Sequence, residues 1–150
     1  MQIIKDKRII DDVWQFIDDD ASVPVGNICV SLARLKRDKR QLLHRNGQLG
    51  VRLQATDSVT ELADNIKHLA LIELDFPDFA DGRLFSQAWI LRERLGYTEE
   101  LRAIGNYMPD QAFYLSRVGI NAFRPEKFGD LPIILAKLNA FSVNYQKSVN

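Results

Sequence analysis

From Asn27 onward, apolar runs of strand length alternate with stretches of helical periodicity. Ile28 to Leu32 reads as a continuous apolar strand. A helix is predicted over Ala33 to Arg45, with Leu35, Leu42 and Leu43 apolar and Arg34, Lys36, Arg37, Lys39 and Arg40 as its polar positions. Asn46-Gly47 stops it. Gly50 to Ala55 is a second strand. Asp57 or Ser58 then caps a helix carrying Leu62, Ile66 and Leu69, and Glu61 stands three residues after Ser58 as in a capping box. Leu69 to Phe76 is a third strand and Gly82 to Leu95 its helix. Leu84, Ala88, Leu91 and Leu95 recur on one face there, and Gly96 terminates the helix. Leu101 to Gly105 is a fourth strand. Pro109 suits a first helical position, whose N–H has no intrahelical acceptor. Ala112, Phe113, Leu115 and Val118 line the helix that Gly119 ends. Ile120 to Phe123 is a fifth strand, Leu131 to Leu138 a last helix, and Phe141 to Tyr145 an added edge strand.

Residues 1–26 differ from this alternation. Ile3-Ile4, Arg8-Ile9-Ile10 and Val13 to Phe16 are short β-prone pieces, with a turn at Lys5-Asp6. Asp18-Asp19-Asp20 leads into a connector through Pro24 and Gly26. That acidic run reads as a solvated loop, with a metal site as the sharper alternative. The expectation is one α/β domain over 1–150, with a β-rich segment at 1–26 and βα repeats over 27–150. Its sheet would be mostly parallel, of about five strands, with helices packed on it. A doubly wound sheet and a half βα-barrel both fit this spacing.

Composition narrows the function classes. Apolar residues at 46% and charged ones at 27% are the mix of an ordinary globular domain. Twenty basic residues balance twenty acidic ones, so no whole-protein field gathers nucleic acid or an anionic membrane. Cys29 is the only cysteine, which rules out an intrachain disulfide. It lies in an apolar run and reads as a small buried hydrophobe rather than a reactive thiol. The start M-Q-I-I-K-D-K-R lacks the apolar region of a secretory signal, and no apolar run approaches the ~20 residues of a membrane span. A cytoplasmic protein is expected.

In parallel α/β folds, ligands sit where strands hand over to helices at the carboxyl ends. The third strand delivers Asp75, Asp78, Asp81 and Arg83 to that rim, with Ser86 and Gln87 in the following helix. The fourth delivers Gly105, Asn106 and Tyr107, then Asp110 and Gln111. The second delivers Gln54, Thr56 and Asp57, and the first Ser31. The candidate ligand-binding set is therefore Asp75, Asp81, Arg83, Ser86, Gln87, Arg102, Asp110 and Gln111. Arg83 offers a planar fork suited to carboxylate, phosphate or sulfur oxyanions, beside free N–H groups at the helix start. Asp81 opposes an anion there unless Arg83 or Arg102 compensates. Each residue also has a structural role open to it. Asp81 is a good N-cap, Asp110 favours the helix dipole, and Asp75 has Arg83 as its nearest ion-pair partner. Arg102 is either a rim residue or an edge residue.

No G-x-G-x-x-G or Walker loop occurs, so no dinucleotide or nucleoside triphosphate bound in the usual way is supported. His44 and His68 lie away from the rim and read as surface or helix-end residues. No cofactor is assigned by any motif. Redox chemistry would need a bound cofactor or a partner that carries one.

Several ordered segments resemble a bacterial family. They are Gly50-Val51-Arg52-Leu53, Leu74 to Arg83, Ser86-Gln87-Ala88, Leu91 to Tyr97, Glu100 to Gly105, Asp110-Gln111 and Gly119 to Phe123. Together they span Gly50 to Phe123, and the chain resembles the Domain of Unknown Function 934 family there. Asn106 is one departure, since the family tends to carry Asp after that glycine. The resemblance implies a link to assimilatory sulfite reduction, because such proteins are described as oxidoreductases of that process and are encoded beside the sulfite reductase haemoprotein. The expected function is an accessory or subunit of sulfite reductase, with the haemoprotein as partner. Tyr97, Tyr107 or Trp89 could anchor such a partner or equally belong to the core, and Trp89 reads as core. The rival is a stand-alone enzyme or binding protein for a small oxyanion at the strand ends. A homodimer of half-barrels, completing the site with a second copy, is a third arrangement.

Overall fold

The chain opens as a hairpin of β1 (Gln2–Lys5) and β2 (Arg8–Asp11). Asp6 and Lys7 between them take φ of 51° and 64°, the left-handed values a two-residue hairpin loop requires. A computed structural model describes residues 1–78 and 82–149, with side-chain surroundings through residue 140. Six further strands follow: β3 (Trp14–Phe16), β4 (Asn27–Ser31), β5 (Leu49–Gln54), β6 (Leu71–Phe76), β7 (Glu100–Gly105) and β8 (Ala122–Pro125). All belong to one eight-stranded sheet in the order β2-β1-β8-β7-β6-β5-β4-β3.

The expectation of a mostly parallel sheet of about five strands is corrected here. Neighbours from β3 to β8 pair in parallel, but β1 runs antiparallel to both β2 and β8. The amino-terminal pieces are not a separate segment. β3 extends the sheet in parallel beyond β4, and the antiparallel hairpin, which extends it beyond β8, makes the sheet mixed.

This order also decides between the two architectures. Consecutive parallel strands lie side by side, so right-handed crossovers place every connecting helix on one face. A doubly wound sheet needs a reversal of strand order, and none occurs. The sheet is curled as a half-barrel. The curl follows from chain length. A flat eight-stranded sheet would hold its edge strands roughly 33 Å apart. The edge strands β2 and β3 are joined only through Asp12 and Val13, a link of at most about 11 Å. The sheet must therefore wrap round to bring its edges near one another.

The helices are α1 (Leu32–Arg37), α2 (Lys39–Leu43), α3 (Arg83–Trp89), α4 (Ala112–Arg117) and α5 (Leu131–Val149). Ser31 caps α1 by accepting from the Arg34 N–H at 3.0 Å. The helix expected over 33–45 is broken at Asp38, whose φ of −113° and ψ of 25° leave the helical region. No continuous helix forms between β5 and β6. Two 3-10 turns, Val59–Leu62 and Ile66–His68, stand there instead. Ser58 makes no capping bond and pairs with the Thr60 hydroxyl, while Asp64 and Asn65 are poor helix formers between the turns. Buried Val59 and Leu62 anchor the segment. α3 continues as a π-helical turn, Ile90–Arg94, before Gly96 ends it at φ 67°. The edge strand expected at Phe141 to Tyr145 is overturned, because α5 runs through those residues. Among the described residues no helix is long and apolar enough to cross a membrane.

Side-chain alternation sorts the strands into two faces. Ile28, Val30, Val51, Leu53, Ile72, Leu74, Leu101 and Ala103 pack against Leu35, Leu84, Leu115 and Ile134 of the helices. The intervening positions, Cys29, Arg52, Glu73, Asp75, Arg102 and Arg124, face the helix-free concave side.

Candidate functional site

The concave face carries a charged layer set by strand register. Arg52 of β5 lies beside Glu73 of β6, which lies beside Arg102 of β7. Arg52 Nε donates to Glu73 Oε1 at 2.9 Å, and Arg102 Nη1 stands 3.4 Å from Glu73 Oε2. Arg102 also donates from Nε and Nη2 to Glu100 Oε2, at 2.9 and 2.8 Å, and from Nη1 to Asp12 at 3.2 Å. Lys5 approaches Glu100 from the outside at 3.6 Å. Arg102 is only 1% exposed, so the layer is dry around it. Burial alone would lower its pKa, but Glu100, Asp12 and Glu73 together raise it, and the guanidinium stays charged. Paired this completely, it is a structural hub.

Cys29 joins the same layer. Its thiol donates to Glu73 Oε1 at 3.3 Å. Burial, and then the Glu73 carboxylate, push its pKa well above the usual thiol value. It is a neutral donor, not a nucleophile. The Arg52 guanidinium lies 3.8 Å from the Phe16 ring centre, and this stack fixes its plane. Phe16, Cys29, Arg52, Glu73, Arg102 and Arg124 border a recess of about 270 Å³ inside the curl.

A second recess, of about 400 Å³, lies at the carboxyl ends of β5 to β8. Arg52, Asp75, Gly105, Asn106, Arg124 and Glu126 border it. Arg52 and Arg124 line both recesses, one from each side of the curl. Among the described residues the Arg124 guanidinium makes no hydrogen bond and no ion pair, and the two Nη groups of Arg52, whose Nε is paired with Glu73, make no hydrogen bond. Asp75 Oδ2 accepts from Gln54 Nε2 at 3.2 Å. Gly105, at φ 97°, leaves space for that carboxylate. A Cβ there would stand 2.8 Å from Asp75 Oδ1 and 2.4 Å from the Phe76 carbonyl.

The structure separates the residues that the sequence grouped together. Asp75 is at the mouth, but its donor is Gln54 where the sequence pointed to Arg83. Arg102 is neither a rim nor an edge residue, since β7 is an interior strand and the side chain is sealed in the ion layer. Arg83 and Ser86 are exposed on α3, on the helical side of the sheet. Gln87 is buried there. Its Nε2 donates to the Asp57 carbonyl at 2.7 Å and reaches those of Gln54 and Ala55 at 3.4 Å, tying α3 to the end of β5. Its Oε1 has no partner among the described residues. Asp110 pairs with Lys137 at 3.1 Å, and Gln111 accepts from the Met108 N–H at 3.0 Å, so both are placed at the start of the α4 segment. Asp81 lies outside the described residues.

The aromatic alternatives resolve for two residues and reverse for a third. Tyr97 and Tyr107 are buried, each 5% exposed, with hydroxyls on backbone carbonyls. Trp89, expected in the core, is 47% exposed, with Arg94 5.5 Å from its ring centre. The acidic run is docked on α1, where Asp19 accepts from Ser31 at 2.6 Å and Asp20 stands 3.7 Å from Arg37. His44 and His68 are exposed at the opposite, amino end of the sheet, where His68 borders a recess of about 340 Å³.

Sequence reasoning missed Arg52, Glu73, Glu100 and Arg124. A signal was present. Three successive strands each hold a charge at a mid-strand position between apolar residues, and the signs of Arg52, Glu73 and Arg102 alternate. Such a pattern predicts a cross-strand ion row on one face.

The family model for a bacterial protein of unknown function, DUF934, matches residues 50–150. The chain belongs to that family. Neither a curated protein nor a solved structure matches it. The DUF934 match begins one residue into β5, so Arg52, Glu73, Asp75, Arg102 and Arg124 fall within it. Asp12, Phe16 and Cys29, which complete the interior layer, precede it.

Proposed function

We propose that this protein binds a small oxyanion at the carboxyl-end mouth of its curled sheet and acts within sulfite reduction. The Arg124 guanidinium carries the reading. It lines the recess with no protein partner among the described residues, facing the same space as the open Nη groups of Arg52. Guanidinium forks match the paired oxygens of sulfur and phosphorus oxyanions, and partial enclosure strengthens the attraction. Arg102 cannot serve this role, because three carboxylates already surround it. The sulfite link rests on the family resemblance. Titration calorimetry with sulfite, sulfate and phosphate tests the binding. Arg124→Gln is expected to weaken the best ligand by about 10-fold or more while leaving the urea midpoint in place. Equal binding by the variant overturns the reading.

A second reading makes the chain an accessory of the sulfite reductase haemoprotein. Trp89 favours it, since a half-exposed tryptophan under an arginine is the kind of anchor found at interfaces. Co-elution with that haemoprotein at low salt is the test, and separate elution counts against it.

A further inference from the structure

Asp75 is the anomaly of a site read as binding anions. Its carboxylate borders the same recess as Arg52 and Arg124. Oδ2 is occupied by Gln54 Nε2 at 3.2 Å. Oδ1 lies against Gly105, where a Cβ would meet it at 2.8 Å, and has no donor among the described residues. The mouth therefore presents open donors on two guanidiniums and one open acceptor. An ionised carboxylate only accepts. A ligand oxygen without a hydrogen would meet repulsion there and leave Oδ1 without a donor.

From this complementarity we infer that Asp75 selects for an oxyanion that carries its own hydroxyl, and against one that is fully deprotonated. Hydrogen phosphate and hydrogen sulfite belong to the accepted class, and sulfate to the rejected one. The inference rests on the oxyanion reading above and names the ligand class of that same site. The acceptor discriminates as any polar group does when it is built to receive a hydrogen bond. The correct ligand fills it, and the isostere lacking the hydrogen desolvates it for nothing. Glu126 also borders the recess, but it is exposed, and solvent screens its charge. Asn106 can donate or accept and so has no preference of its own.

The test is calorimetry on the full chain at one fixed neutral pH, with inorganic phosphate and sulfate as probes. The wild-type protein is expected to bind phosphate at least about 10-fold more tightly than sulfate. Asp75→Asn should narrow the ratio to about threefold or less, chiefly by gaining sulfate, because an amide can turn a donor towards it. Equal wild-type affinities, or a preference for sulfate, overturn the selectivity. If Arg124→Gln still weakens both anions in that case, the oxyanion reading survives alone. If the wild-type protein binds neither anion, both readings fall. An unchanged ratio in Asp75→Asn removes Asp75 as the selector. Should that variant not fold, the wild-type ratio still decides.

Discussion

Arg52 and Glu73 stand side by side on β5 and β6, joined by a 2.9 Å bond from Nε to Oε1. Glu73 offers its other oxygen to Arg102 and receives the Cys29 thiol, so one carboxylate ties together four strands, β4 to β7, across the concave face. Removing one member of such a buried set leaves the remaining charges without compensation. Glu73→Ala is expected to lower stability by about 3–5 kcal/mol. Urea unfolding checks this, and a loss below about 1 kcal/mol would mean that water screens the layer.

Gly105 gives a sharper local prediction. Its φ is 97°, and the Phe76 carbonyl lies 2.4 Å from where a Cβ would stand, which leaves no room for a side chain. Gly105→Ala should cost roughly 1–3 kcal/mol and displace the Asp75 carboxylate. Gly129→Ala, with nothing within 4 Å of its Cβ, should change stability by no more than about 0.5 kcal/mol. Thermal melts of the pair separate backbone strain from a general effect of alanine.

Local periodicity made the helical face of this fold legible. Leu84, Ala88 and Leu91 are buried as their spacing requires, and Gly96 ends the turn that follows. The concave face was harder to read, because near-continuous apolar strands look buried by hydrophobes on both sides. Glu73 and Arg102 are buried against one another with Arg52 half-buried beside them, and a pairing of that kind emerges only once register is known. The same holds for β1 to β3, whose β-prone residues were visible while their attachment to both ends of the sheet was not. The rule that sites lie at strand carboxyl ends pointed to Asp75, which borders the recess there. It missed Arg124, which follows a strand predicted two residues early, over Ile120 to Phe123, where β8 is Ala122–Pro125.

Cys29 and the two buried tyrosines predict a pH response. Burial raises the Cys29 pKa in the folded chain above its unfolded value of about 8.5. Below that pH both states hold the proton and the contribution is complete. Above it the unfolded state releases the proton first, so stability falls as pH rises towards the folded value. Burial also raises Tyr97 and Tyr107, which add the same trend above about pH 10. The urea midpoint should therefore drop between pH 7.5 and 9.5, as probe conditions of about those values, and drop less in Cys29→Ala. In the native protein a thiol reagent should react at least about 100-fold more slowly than in urea, and rapid native labelling would contradict the buried geometry.

Trp89 tests the partner reading without disturbing the fold. Its ring is 47% exposed and stands near Arg94, while its helical neighbours Leu84, Ala88 and Leu91 supply the packing. Trp89→Ala should change unfolding free energy by no more than about 1 kcal/mol. If the ring anchors the sulfite reductase haemoprotein, the same variant should weaken co-elution by about 10-fold or more, since exposed aromatics at an interface centre dominate binding. Loss of stability with no effect on co-elution would return Trp89 to a packing role. An effect on co-elution alone would place the docking surface on α3, on the helical side of the sheet, and leave the mouth with Arg124 open to ligand while the partner is bound.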